Sequence, residues 1–544
     1  MSGTLQLTVA QTARVDCSNG GTLVTLAGDG ASYLVVPQFP VDLVADAFVS
    51  YRLTTRNGVA AATNDRVRNT SEVATGTAFD ELRRAPNAAQ QKFDRFLRGR
   101  SRAKVASGEW RPSLHPPVSR SLVAVVPDLG SVRSFRVLAK ESPVSFKTIG
   151  AQLIYAGANV LFYMDTAAAP GAFTAAQIQA FGSLFDQTLY PIDTAAFGPP
   201  SDVDANGHVI MLMSPVVNAL TSKSECQTNG FIGGFFDDED LGGSALDPNS
   251  NHGEVFYSIA PDPEGVASCT HTAADVGFAV SAVFMHELQH LINFSQHVVV
   301  HGGDPEFGWL DEGLSIVAEE LGSVHYEQQC PGTSCRANPS QIFPDSSQGF
   351  VQGFLYDSYQ YALRPDTASV TLHSDSDDGF SWRGGDWLLV RWLGDQFGNA
   401  VFRKLDQTGV TGVANIEHAT AQPFPPLFAD FGLSLVTDSL PGLPRTTAPA
   451  RDRFVTRNVS QLWARLFVTS GGSPDIPRSF PIVLAPITSD STSKLMQPGT
   501  SSYFRLDTPA SAAAVTLQFS NAAGGAISSG LKPQLAIFRL PTGQ

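Results

Sequence analysis

Two kinds of hydrophobic spacing alternate along this chain. Residues 1 to about 56 alternate apolar and polar positions between Gly, Asn and Asp turns, as in "TLQLTVAQTARV", "GTLVTLAG", "SYLVVPQF" and "AFVSYRLTT". Period two with closely spaced turn residues predicts a small all-β module, a sandwich. From 57 to about 117 the chain is polar, apart from one basic amphipathic stretch, "AFDELRRAPNAAQQKFDRFLRGRSRAK". The simplest reading of that segment is a linker carrying a surface helix. From about 118 strands return in "SLVAVVP", "SVRSFRVL" and "AQLIYAGANVLFYMD". "TAAQIQAFGSLFDQTLYPI" then has helical spacing after a Thr cap. The strand "HVIMLMSPVV" follows the turn "SDVDANG", and "GEVFYSIAP" follows a long Gly/Asp/Asn loop. Helical spacing takes over at about 276–296, in "FGWLDEGLSIVAEELGSV" and in "GDWLLVRWLGDQFGNAVFRKL". After about 445, "PIVLAPI", "SSYFRLDT", "AAVTLQFS" and "PQLAIFRLP" restore period two.

The expected order is an N-terminal β module (1–56), a linker with an amphipathic helix (57–117), an α+β domain (118–445) and a C-terminal β-sandwich (446–544). A length of 544 residues suits several domains. Hydrophobic residues at 43% and charged residues at 16% fit a folded protein. The net charge of -15 argues against nucleic acid as a partner, because phosphate binding needs a basic face. No apolar run is long enough to span a bilayer. Nothing in the sequence speaks to oligomeric state.

None of the five cysteines forms a C-x-x-C pair, which argues against zinc-ribbon and thioredoxin chemistry. Cys330 and Cys335 flank the turn "PGTS" and suit a short disulfide; Cys226 and Cys269 suit a second, leaving Cys17 over. Disulfides imply an oxidising compartment. The start "MSGTLQLTVAQTARV" has neither a basic n-region nor an h-region. The expectation is an extracellular protein whose leader is absent from the chain shown.

The candidate chemistry lies in "AVFMHELQHLINFSQ", where an apolar helix stops to place His286, Glu287 and His290 together. His286 and His290 are four apart and project from one face. This H-E-x-x-H pattern offers two imidazoles to Zn2+ and a carboxylate for a proton. Catalytic zinc takes three protein ligands and keeps one position open. A third histidine six residues on would stand at Gln296, with its turn glycine at Asn293, so that arrangement is excluded. His297 and His301 are off register and read as loop or surface histidines. The remaining source is a glutamate on a following helix, and "WLDEGLSIVAEE" supplies Glu312, 312 − 290 = 22 positions after the second histidine. Glu319 stands seven further on, on the same face.

"HELQH" followed by "WLDEGLS" resembles the gluzincin metallopeptidases, the thermolysin and aminopeptidase N types among them. The wider likeness, over about 145–435, is to the hyicolysin-type bacterial peptidases, through "FDQTLYPIDTAAFGPPSDVDANGHVIMLMSPVVNALT", "GGFF", "GEVFYSIAPDP", "HELQHLIN" and "WLDEGLSIVAEEL". The resemblance implies a gluzincin-like domain, a mixed sheet plus active-site helices, flanked by the β-sandwich-like modules. It implies His286, His290 and Glu312 as zinc ligands and Glu287 as general base. Thermolysin types carry an Asp where Ile316 stands, so Glu319 is implied as the carboxylate that orients a ligand histidine. No G-x-M-E-N exopeptidase motif is found, which points to an endopeptidase. Relatives aim a tyrosine at the oxyanion from near the third helix. Here Arg383, or Tyr356, Tyr359 or Tyr361 of "FLYDSYQY", are the candidates. The resemblance further suggests "GEVFYSIAP" as an edge strand that pairs with an extended substrate.

"DVDANG" begins like a Ca2+ loop, with Asp202, Asp204 and Asn206, but an EF-hand would need Glu where Met213 stands. A tight Asn-Gly turn is the alternative. "DDEDLGG" is a second acidic loop of the same kind. The functional expectation is a secreted zinc endopeptidase acting on proteins or peptides. The rival from another class is a secreted binding or adhesion protein that keeps the fold with little or no turnover.

Overall fold

The computed structural model describes residues 4–19, 23–42, 47–56, 88–110, 126–242, 249–330, 335, 342–343, 347–371, 380–445, 449–471, 473–487, 492–510 and 514–541. They form two compact units. One comprises Met1–Phe79, Leu355–Gly398 and Gly412–Gln544; the other comprises Asp80–Phe354 and Asn399–Thr411.

In the first unit the two ends of the chain build a single β-sandwich. The N-terminal strands are β1 (Thr4–Leu5), β2 (Thr12–Asp16), β3 (Leu23–Leu26), β4 (Ser32–Gln38) and β5 (Val49–Arg56). The second unit then supplies β6 to β11, and β12 (Ala485–Pro486), β13 (Thr492–Met496), β14 (Phe504–Asp507), β15 (Val515–Asn521) and β16 (Gln534–Arg539) return to the sandwich. Its sheets run β1-β3-β15-β5-β13 and β12-β14-β4-β16-β2. The expected pair of separate modules is therefore corrected to one sandwich. The reason is burial. Val15, Leu26, Tyr33, Val35 and Leu53 from one end share a core with Phe504, Leu506, Leu517, Phe519 and Ile537 from the other. Either half alone would leave that apolar face in water. Helices Phe380–Phe397, Phe424–Thr437 and Val459–Thr469 also belong to this unit. The boundary expected at 118–445 thus differs, and the last helix lies where only strands were expected.

The second unit holds a six-stranded mixed sheet in the order β10-β11-β9-β8-β7-β6. Its strands are β6 (Val132–Glu141), β7 (Val144–Ala156), β8 (Val160–Asp165), β9 (Val209–Met213), β10 (Gly234–Phe236) and β11 (Val255–Ser258). β9 runs parallel to both β8 and β11, and β10 closes the edge antiparallel to β11. β9 is buried throughout, as an unbroken apolar run between two parallel neighbours should be, and β11, parallel to β9 and antiparallel to β10, is buried as well. "GEVFYSIAP" is therefore an internal strand, and the edge role suggested for it is corrected: β10, "GFF", is the edge.

Helix Ala88–Ser107 opens this unit and is more than a linker's surface helix. Phe93 and Leu97 are buried, and Phe93 meets Phe235 of β10 edge-on at 5.0 Å. Its basic face meets the acidic loop that follows β10. Arg100 pairs with Asp237 and Lys104 with Glu239, and the Trp110 indole donates to the carbonyl of Asp238 at 3.0 Å. The basic and acidic runs thus neutralise one another. Cys226–Cys269 and Cys330–Cys335 are disulfide-bonded, and Cys17 is buried in the sandwich core. Among the described residues no helix is long and apolar enough to cross a membrane.

Candidate metal centre

The motif helix spans Ala273–Phe294. Thr272 caps it in a capping box with Asp275, which satisfies two of the orphan groups at its start. Phe284 packs on Phe256 of β11 and stacks on Phe185 at 4.4 Å, so one face lies on the sheet. The other face meets a second helix, Gly308–Gln329. The two come close at Gly322, where an added Cβ would lie 2.6 Å from Met285 Sδ.

That approach brings together the residues singled out from the sequence. His286 Nε2 and His290 Nε2 are 3.1 Å apart. Glu312 Oε2 lies 3.3 Å from the first and Glu312 Oε1 lies 3.6 Å from the second. Donors about 2.0–2.1 Å from a tetrahedral ion stand about 3.3 Å from one another, so the three side chains suit a metal of zinc's size and ligand taste. His286, His290 and Glu312 are all buried. Nitrogen and oxygen donors crowded together in an apolar helix pair are costly unless something binds them.

The outer ring nitrogens have partners as well. Glu319 Oε1 lies 2.8 Å from His286 Nδ1. His290 Nδ1 lies 2.9 Å from Asp311 Oδ1 and 2.9 Å from Ser315 Oγ. Ser315 donates to Gln289 Oε1 at 2.5 Å, and Gln289 and Asn293 both donate to Asp406 Oδ1. Asp406 and its neighbour Asp193 are wholly buried, and burial pushes both carboxyls well above the usual carboxylate range. The back of the motif helix is thereby anchored through side chains.

Glu287 faces the sheet edge, where its Oε2 accepts a hydrogen bond from the backbone N–H of Phe236 in β10 at 2.9 Å. Burial pushes its carboxyl up to about 8, against the pull of His286 and Arg98. Burial, and then the charge of Arg98, push His290 down to about 4, which keeps that imidazole neutral at pH 7. Arg98 comes from the leading helix. Its Nη2 is 3.9 Å from Glu287 Oε2 and its Nε is 3.6 Å from Asp311 Oδ2. Gln90, two turns earlier, accepts from Gly233 N–H at 2.8 Å and donates to the Gly234 carbonyl at 2.9 Å. The leading helix thus holds backbone groups of the edge strand.

Asp311, Arg98 and Ser315 were missed from sequence. Asp311 stands directly before Glu312 and could have been flagged by that adjacency. Arg98 is joined to the site only through space, and no local pattern marks it. His297, expected in a loop or at the surface, is buried instead. The helix continues as a wider π-type turn over Ser295–Val300, and His297 Nε2 there meets the Leu405 carbonyl at 3.0 Å. It is not one of the three converging donors. The four oxyanion candidates lie in the other compact unit. There the Tyr359 hydroxyl donates to the Arg478 carbonyl and accepts from the Arg478 N–H, Tyr361 is buried, and Tyr356 and Arg383 are half-buried.

No family model matches the chain. A neutral metalloprotease of Staphylococcus hyicus is 29% identical over 195 residues, 36% of this chain and 40% of that protein. This partial likeness supports a metallopeptidase family and a metal cofactor.

Proposed function

We propose that the protein is a zinc-dependent endopeptidase of the gluzincin type that works outside the cell. The observation that carries this reading is the convergence of His286 Nε2, His290 Nε2 and a Glu312 carboxylate at 3.1 to 3.6 Å, with Glu287 beside them. His286, His290 and Glu312 would hold the zinc. Zinc, when bound, acidifies a water and polarises the scissile carbonyl. Glu287 takes the proton of the attacking water and hands it to the leaving amine, so that one carboxylate serves as base and then as acid. Glu319 and Asp311 hold the two imidazoles through Nδ1 and so aim Nε2 inward. Edge strand β10 offers backbone groups to an extended peptide. Such a peptide competes with Gln90 for Gly233 and Gly234. Two disulfides and the acidic composition favour an oxidising, extracellular setting.

The test is zinc content together with casein hydrolysis in wild type and Glu287→Gln. Wild type should bind one zinc and cleave internal bonds. The variant should keep the zinc and lose on the order of a thousandfold or more in rate. A zinc-loaded wild type that cleaves no peptide would instead make this a binding protein with a gluzincin-like fold.

A further inference from the structure

Away from the histidines, a second group of ligand atoms gathers on the loop that leads into β9. Asp202, Asp204 and Glu254 each bring a carboxylate oxygen to within 4.8 Å of the others. Asp202 is exposed and Asp204 half-buried, but Glu254 is only 1% exposed. Glu254 directly precedes β11, and its carbonyl accepts from Ile210 N–H of β9 at 2.7 Å, which fixes it beside the loop. Its Oε1 accepts from Ser201 Oγ at 2.6 Å and Val203 N–H at 2.9 Å. Its Oε2 is buried and accepts no hydrogen bond. A buried carboxylate with one oxygen that accepts no hydrogen bond, grouped with two more carboxylates, is disfavoured in its charged form unless a cation or a proton joins it. Among the described residues no Lys or Arg forms an ion pair with the three. Arg133, the cation that Asp204 feels, donates to the Asn251 carbonyl at 2.9 Å and lies over the Phe135 ring.

We propose that Asp202, Asp204 and Glu254 form a structural calcium site. The donors are all oxygen, which suits a hard cation and not zinc, and the exposed side leaves room for water ligands. The loop is wound tightly enough to gather them. Gly207 N–H donates to Asp202 Oδ1 at 3.0 Å, and Ala205 and Gly207 take positive φ. Asn206, the third donor expected from the sequence, is turned aside. Its amide donates to Asp204 Oδ2 and its Oδ1 accepts from His208 N–H. The glutamate absent from the twelfth loop position is supplied by the neighbouring strand. The site would also brace the metal centre. Ser201 Oγ lies 3.0 Å from Ser295 Oγ at the end of the motif helix, and Gln296 donates to the Pro199 carbonyl.

The test uses the full chain, zinc-loaded and dialysed into calcium-free buffer, titrated with CaCl2 by calorimetry and melted with and without about 5 mM CaCl2, a concentration chosen to saturate even a weak site. MgCl2 serves as the control and zinc content is measured throughout. One calcium per chain is expected, with a Tm rise on the order of 5 °C, no such rise with MgCl2 and no change in zinc content. Glu254→Gln should weaken calcium binding by about tenfold or more. Asp202→Asn should do the same, and its exposed side chain keeps that variant folded. Wild type that binds no calcium, or a folded Asp202→Asn that binds it as wild type does, overturns the proposal. Neither result depends on whether the protein cleaves peptides.

Discussion

Asp311 Oδ1 lies 2.9 Å from His290 Nδ1, although Asp311 directly precedes Glu312 on the same helix. One turn of helix therefore carries both a candidate metal ligand and the group that aims another. Glu319 does the same for His286, two turns later. Carboxylates behind ligand histidines fix the tautomer and raise the basicity of the ring.

Asp311→Ala should therefore weaken zinc binding by about 10- to 100-fold while leaving the three proposed ligands in place. Chelator competition measures this, and Glu319→Gln should behave alike. Unchanged zinc affinity in both variants would mean that the carboxylates are bystanders.

Arg98 should matter for stability before it matters for rate. It is the cation shared by Glu287 and Asp311 in a buried setting. Arg98→Met leaves those carboxylates without it and should cost about 3–5 kcal/mol. Denaturant unfolding checks the loss, and Arg98→Lys should recover part of it. A neutral Arg98→Met variant would show that the 3.6 to 3.9 Å separations carry no net energy.

The two site helices touch where Gly322 has no side chain. A Cβ there would come within 2.6 Å of Met285 Sδ and 2.8 Å of the Phe350 ring. Gly322→Val should lower stability by about 1–3 kcal/mol through overpacking. It should also loosen zinc, because Met285 adjoins His286. Wild-type Tm and zinc affinity together would contradict this close approach.

A pH dependence should appear in the unit that holds the sandwich. Burial, and then the charge of Asp430, push the Asp452 carboxyl up to about 7. Between its ordinary value near 3.8 and about 7, the folded state holds a proton that the unfolded state releases. Stability from this group is therefore full at low pH and is lost as pH rises through that window. Asp452→Asn removes the effect, so the variant should gain on wild type by on the order of 2–4 kcal/mol between about pH 4 and pH 8. Unfolding at both pH values tests it; a constant difference would rule it out.

The sandwich should fail when either end is missing. β4 lies between β14 and β16, and β15 between β3 and β5. Residues 1–56 expressed alone should show no cooperative melt, and a chain ending at residue 484 should lose the sandwich's near-ultraviolet dichroism. A cooperative melt of 1–56 alone would restore the two-module reading.

What the sequence determined by itself is what depends on neighbours a few residues apart. The motif helix, the helix of "WLDEGLS" and the Thr174 cap follow from 3.6-residue spacing and cap chemistry, although the motif helix runs over Ala273–Phe294 where about 276–296 was expected and its Thr272 cap was not foreseen. His286 and His290 were legible because one helical turn puts them on one face, and Glu287 because it stands between them in the H-E-x-x-H pattern. Glu312 was legible because few buried helices carry a glutamate among Trp309, Leu310 and Leu314. The tertiary structure alone decided the rest. Arg98 meets Glu287 only because the leading helix packs on β10. Glu254 joins Asp202 and Asp204 only because β11 pairs with β9. The two β-rich ends form one sandwich because neither can bury its apolar face alone. Such pairings are chosen by the surface they bury, and no short window of sequence carries that information.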